Sequence, residues 1–104
     1  MSLVRWKDQE RRVARLLNCR RNPNSGKGLP DGENEVIVFE NKDMKDLPQW
    51  LVAEVTKARS KAGSRRLGAL TITSRSTEDV YIVFHLHDFR DWYVGTPRKE
   101  RRRL

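Results

Sequence analysis

One cysteine, Cys19, stands in 104 residues, so no intramolecular disulfide can form, and a reducing compartment fits. No apolar run approaches the roughly 20 residues that a membrane span needs, and the N-terminal residues carry no signal-peptide pattern. These absences exclude a disulfide scaffold and a helical membrane protein, and set the expectation of a cytoplasmic chain (host cytoplasm if the source is viral). Acidic residues are also outnumbered: 14 Asp and Glu stand against 22 Lys and Arg, for a net charge of +8. That surplus points to nucleic acid as the partner class.

The charge is laid out in blocks. Residues 1–29 sum to +6, 30–55 to −5, 56–77 to +6, 78–97 to −3 and 98–104 to +4. A surface made only to hold phosphate has no use for an acidic block between two basic ones. Carboxylates clustered in a basic protein make sense when they hold a divalent cation that touches the phosphate. Alternating solvated faces of a small charged domain give the same pattern.

Periodicity predicts a helix from Val4 to about Asn18, where Trp6, Val13 and Leu17 lie within about 40° of one another at 100° per residue. Asn18 can cap it. Asn22–Gly32 reads as a loop. Glu35–Lys42 reads as a strand, its unbroken Val36-Ile37-Val38-Phe39 run suggesting cover on both faces. Pro48 opens a second helix reaching about Lys61, with Leu47, Leu51, Val55 and Ala58 inward and Gly63 ending it. Leu67–Thr73 and Val80–Leu86 read as strands, His87–Val94 as a short closing helix, and Cys19–Asn22 or the neighbourhood of Asp31 as a further short strand. The organisation expected is a single domain over residues 1–95 and a basic flexible tail over 96–104, with mixed α/β architecture.

Three places carry candidate chemistry. Glu40 and Lys42 share a face if the strand runs through both, which suits a metal-ligating carboxylate beside an ammonium that positions water. Charged strand ends are nevertheless common. Asp31 lies in Pro30-Asp31, close enough in sequence for a tight turn to return it to Glu40, although Asp-Gly is also a plain turn dipeptide. Glu10 falls about 40° from Trp6 and about 20° from Leu17, inside the apolar stripe. A carboxylate buried there needs a cation, a donor or an edge position. Glu54 falls in the stripe of the second helix in the same way.

Glu10 in a first helix, Asn24-Ser25-Gly26 in a loop, Pro30-Asp31, and Glu40-x-Lys42 ending an apolar strand together resemble the PD-(D/E)xK nuclease superfamily, over roughly residues 7–87. Within it the chain is similar to the small Holliday-junction-resolvase-type endonucleases of archaea and phages, a likeness that Leu47-Pro48-x-Trp50-Leu51 strengthens. The resemblance implies a restriction-endonuclease-like core, a central mixed β-sheet flanked by helices. It also implies Mg²⁺ as cofactor, with Mn²⁺ able to substitute, no small-molecule cofactor, and hydrolysis of DNA phosphodiesters, with branched or junction DNA as the substrate. Carried over by position, Glu10, Asp31, Glu40 and Lys42 would be catalytic. Glu10, Asp31 and Glu40 would also hold the metal, with Asn41 lending its carbonyl. Two departures stand out: Gly32 follows Asp31 where an apolar residue is usual, which leaves Glu33 open as a sharer of the metal role, and Lys57 stands where a helix glutamine is common. Arg11, Arg12, Arg15, Arg20, Arg21, Ser25, Lys27, Lys57, Arg65 and Arg66 would hold the DNA backbone by charge. Two symmetrical cuts call for a homodimer, with Trp50, Phe89, Trp92 and Tyr93 as core or interface. The alternative is a non-catalytic basic DNA- or RNA-binding module, for which the charge alone suffices. His85 and His87 are two apart, and no Cys/His spacing suggests zinc.

Overall fold

The computed structural model describes residues 2–23 and 28–95. It is an α/β structure with two small antiparallel sheets. The chain, expected as one domain over residues 1–95, divides into two compact units, Met1–Lys45 and Asp46–Leu104. The basic tail and the loop segment Asn24–Lys27 lie outside the described residues.

In the first unit, α1 (Ser2–Leu17) leads into β1 (Arg20–Arg21), β2 (Gly32–Glu33) and β3 (Val38–Phe39), paired in that order. Asn18 does cap α1. It takes a left-handed φ of 58°, its N–H donates to the Arg15 carbonyl at 3.3 Å, and the Cys19 N–H reaches back to Ala14 at 2.8 Å. This double closure satisfies two carbonyls that a helix end leaves unpaired, and asparagine is one of the few residues that tolerates the backbone it requires. One further short strand was expected, at Cys19–Asn22 or near Asp31; strands form at both places, at Arg20–Arg21 and Gly32–Glu33.

The β2–β3 hairpin turns on Asn34. Its side-chain oxygen accepts the N–H groups of Val36 at 2.7 Å and Ile37 at 2.9 Å. Its amide nitrogen donates to the Asn18 carbonyl at 3.1 Å, tying the turn to the end of α1. Only Val38 and Phe39 of the expected long strand pair in the ladder, and the run is not covered on both faces: Val36 is 73% and Val38 66% exposed. Ile37 and Phe39 are half-buried between them. The alternation follows from a sheet with one face toward α1 and the other in water. The buried apolar residues among those described are Ala14 and Leu17.

In the second unit, α2 (Gln49–Ala62) precedes a hairpin of β4 (Leu70–Thr73) and β5 (Val80–Val83), then α3 (Leu86–Arg90) and one wide helical turn, Asp91–Gly95. Pro48 sits just before the first helical residue, its carbonyl accepting from Leu51 and Val52. Gly63 ends α2 with φ of 71°, its N–H bonded to Arg59 at 3.2 Å. Leu51, Val55 and Ala58 are half-buried as expected, whereas Leu47 is exposed. The central mixed sheet is not what the described residues form: the sheets are separate, of three and two strands, and both antiparallel. Short hairpins close by local pairing and need no parallel crossover. Among the described residues no helix is long and apolar enough to cross a membrane.

Candidate functional site

The sequence-predicted acids fall into two settings within the first unit. Glu10 is buried, 5% exposed, as its place in the stripe requires. The cation that satisfies it is a side chain: Arg21 Nε meets Glu10 Oε1 at 2.9 Å. The same guanidinium lies over the Trp6 ring, 5.9 Å from its centroid. Arg21 is therefore held between a carboxylate and an aromatic face, an arrangement that suits a planar cation. Spent in this way, Arg21 is not an open contact for a DNA backbone.

Asp31 is the second buried acid. Its Oδ2 accepts the Asn41 N–H at 2.7 Å, its N–H donates to the Phe39 carbonyl at 3.1 Å, and its carbonyl receives the Asn22 N–H at 2.9 Å. The ladder pairs Arg21 with Gly32 and Gly32 with Phe39. The β2–β3 ladder ends at Gly32 and Phe39, and the Asp31 N–H bonds the Phe39 carbonyl next to that pair. Glu40 and Lys42 are exposed and Asn41 half-buried, all just past the end of β3.

Glu33 is occupied. It receives Asn22 Nδ2 at 2.9 Å and pairs with Arg20 at 3.3 Å. Asn22 Nδ2 also donates to the Pro30 carbonyl at 3.0 Å, which closes the base of the loop. Among the described residues, no three acidic, histidine or cysteine side chains gather where they could hold one metal ion. Glu10, Asp31 and Glu40 were expected to share a cation, and they do not form such a group; Arg21 neutralises Glu10 instead.

Close approach explains Gly32, the departure after Asp31. A methyl there would overlap the Phe39 ring and press on the Arg20 carbonyl at 3.0 Å. Cys19 beside this region has its thiol pushed up by burial and by the nearby Glu33 carboxylate.

The expected DNA-contacting cations vary. Arg12 and Arg15 are exposed on the outer face of α1, and Arg11 beside them pairs with Asp8 at 2.9 Å. Arg20 is exposed but paired to Glu33. Ser25 and Lys27 lie outside the described residues. In the second unit, exposed Lys57 pairs with Glu54 at 3.2 Å, Arg65 is exposed, and Arg66 lays its guanidinium on the Lys61 and Ala62 carbonyls at 2.8 and 3.2 Å.

Sequence reasoning missed a polar cluster in the second unit. Arg59 grips Asp88 through two bonds, 2.6 and 3.1 Å. The hydrogen bond from Arg59 holds the Asp88 carboxyl below its ordinary range and raises Arg59. His85 caps α3 by accepting the His87 N–H at Nδ1, 3.3 Å. Burial, the Arg59 charge and His87 push its pKa down, with Asp88 opposing. The imidazoles of His85 and His87 lie 5.6 Å apart. Arg59 and Asp88 are separated by 29 residues, and no local spacing announces such a pair.

Comparison of the chain with protein-family models, with curated proteins and with solved structures finds no match.

Proposed function

We propose that this protein is a metal-dependent, structure-selective endodeoxyribonuclease of the PD-(D/E)xK type, acting on branched DNA as a homodimer in the cytoplasm. The observation that carries the reading is the 2.7 Å bond between the Asp31 carboxylate and the Asn41 N–H. It ties the acid of Pro30-Asp31 to the middle residue of Glu40-Asn41-Lys42, the two motifs on which the resemblance rests.

The donor set fits Mg²⁺, which takes hard oxygen ligands and completes its shell with water, so one or two carboxylates suffice. Asp31, Glu40 and the Asn41 carbonyl would hold it. Bound there, the ion would supply charge neutralisation of the phosphate and a water acidic enough to act as nucleophile near neutral pH. Lys42, an exposed ammonium two residues from Glu40, would orient that water and offset negative charge at phosphorus. The Asn41 N–H fixes the Asp31 carboxylate before any ligand arrives, which lowers the ordering cost of binding. Exposed Arg12 and Arg15 would hold the flanking backbone.

A second reading, a non-catalytic DNA- or RNA-binding module, draws on the commitment of Glu10 to Arg21. Incubating the full chain with branched and linear DNA separates the two. The nuclease cuts in Mg²⁺ or Mn²⁺ and is silent in EDTA. Lys42→Ala is expected to lose roughly 10²- to 10³-fold of the cleavage rate, the range for removing one group aimed at charge that develops in the transition state. Glu40→Ala should abolish cutting while DNA affinity is kept or raised, because an acid has left a basic surface. Cleavage retained in both variants would overturn the reading.

A further inference from the structure

The second unit contains an open groove of about 600 Å³ between α2 and β4. Its apolar lining is made of Ala58, Ala62, Gly68 and Ala69 with Leu67 and Leu70. Gly68 makes the two elements meet closely: a methyl there would come within 2.7 Å of the Ala58 carbonyl oxygen and 2.9 Å of the Arg59 Cα, both rigid backbone. The walls carry charge. Lys57 and Lys61, one helical turn apart, rise from α2, and Arg66 stands at the far end. The guanidinium of Arg66 is anchored on the last carbonyls of α2 at 2.8 and 3.2 Å, so its charge is held in place.

One acid lines the groove, Glu54, and it pairs with Lys57 at 3.2 Å. No aromatic side chain lines it. Stacking of bases needs an aromatic or planar platform, whereas a row of cations along an open groove with no aromatic lining suits the backbone. From this geometry we infer that the α2–β4 groove is a sequence-independent binding track for the phosphodiester backbone of nucleic acid, with Lys57, Lys61 and Arg66 as its phosphate contacts and Glu54 as the competitor that restrains Lys57. The inference rests on the nucleic-acid partner named above and not on hydrolysis.

The test is a salt series of fluorescence-anisotropy titrations, full chain against a labelled duplex, in EDTA so that cleavage plays no part. Each phosphate contact contributes about −0.9 to the slope of log K against log salt. Lys57→Gln combined with Lys61→Gln should flatten the slope by about one to two. Gln is nearly as good a helix former as Lys, so α2 is kept. Glu54→Gln should do the opposite, tightening binding and steepening the slope by up to about one as Lys57 is released. Arg75→Gln, an exposed cation between β4 and β5, should leave the slope unchanged. A double variant with the wild-type slope, or Glu54→Gln that weakens binding, would overturn the inference. So would polyglutamate that binds as tightly as DNA and loses affinity equally in the double variant, because the groove would then be made for an acidic protein.

Discussion

The two units bury different things. In the first, the buried positions among the described residues are as much polar as apolar: Glu10, Asn22 and Asp31 beside Ala14 and Leu17. In the second, neither α2 nor α3 contains a buried residue, and Trp50, Val80, Tyr81, Ile82 and Trp92 are each more than half exposed. Directional bonds fix the first unit, since a buried carboxylate or amide tolerates few arrangements of its partners. The second is specified locally, by a capped helix, a four-residue hairpin ladder and the rings of Phe84, Phe89 and Tyr93 stacked 5.4 to 5.5 Å apart.

The sharpest way to break this contrast is to remove one member of the Glu10–Arg21 pair. Their side chains are 7% and 15% exposed, so Glu10→Ala leaves a cation with little water to replace its partner. The expected loss is about 3–5 kcal/mol, read from urea denaturation. Replacing both, Glu10→Leu with Arg21→Met, should recover most of that loss, since an apolar pair of similar volume carries no desolvation penalty. A single-variant loss below about 1 kcal/mol would mean that water screens the pair and that the polar network does not fix the unit.

Gly32→Ala probes the same unit through packing. The added methyl meets the Phe39 ring and the Arg20 carbonyl, and overpacking of this kind costs about 1–3 kcal/mol. Adding Phe39→Leu should return part of it by making room. If Gly32→Ala alone is neutral, the ring moves aside at no cost and the departure after Asp31 has no steric origin.

The smallest effect is expected in the second unit, as a function of pH. His85 has its folded pKa below the ordinary 6.5 through burial, Arg59 and His87. Asp88 lies below 3.8 through its bond from Arg59. In both cases the unfolded chain binds protons more readily than the folded one, so stability falls as pH drops. The loss begins near pH 6.5 for His85, and a second loss begins near 3.8 for Asp88. Asp88→Asn should remove the second step and keep the first, checked by thermal melts across the acid range. Stability that rises on acidification would reverse the sign and refute the cluster's role.

Much was legible from the residues alone. Helix periodicity gave α1 and α2 to within two residues, because a stripe at 3.6-residue spacing forms wherever a helix has a face to bury. Asn18 and Gly63 marked the helix ends through the positive φ that few other residues accept. The place of Glu10 inside an apolar stripe foretold a buried carboxylate in need of a partner. The extent of β3 was not legible. The Val36–Phe39 run reads as a strand covered on both faces, and only the pairing, with α1 on one side and water on the other, reveals alternation.

Local sequence thus determined the helices, their ends, the turn residues and the basic charge, all of which depend on neighbours a few positions apart. Tertiary structure alone decided that Arg21, eleven residues away, is the cation for Glu10, that Asn41 holds Asp31, and that Arg59 grips Asp88. The physical reason is one of range. Periodicity and capping are short-range properties of a chain, whereas a buried charge takes its partner from whatever the fold brings within about 3 Å, the reach of a hydrogen bond.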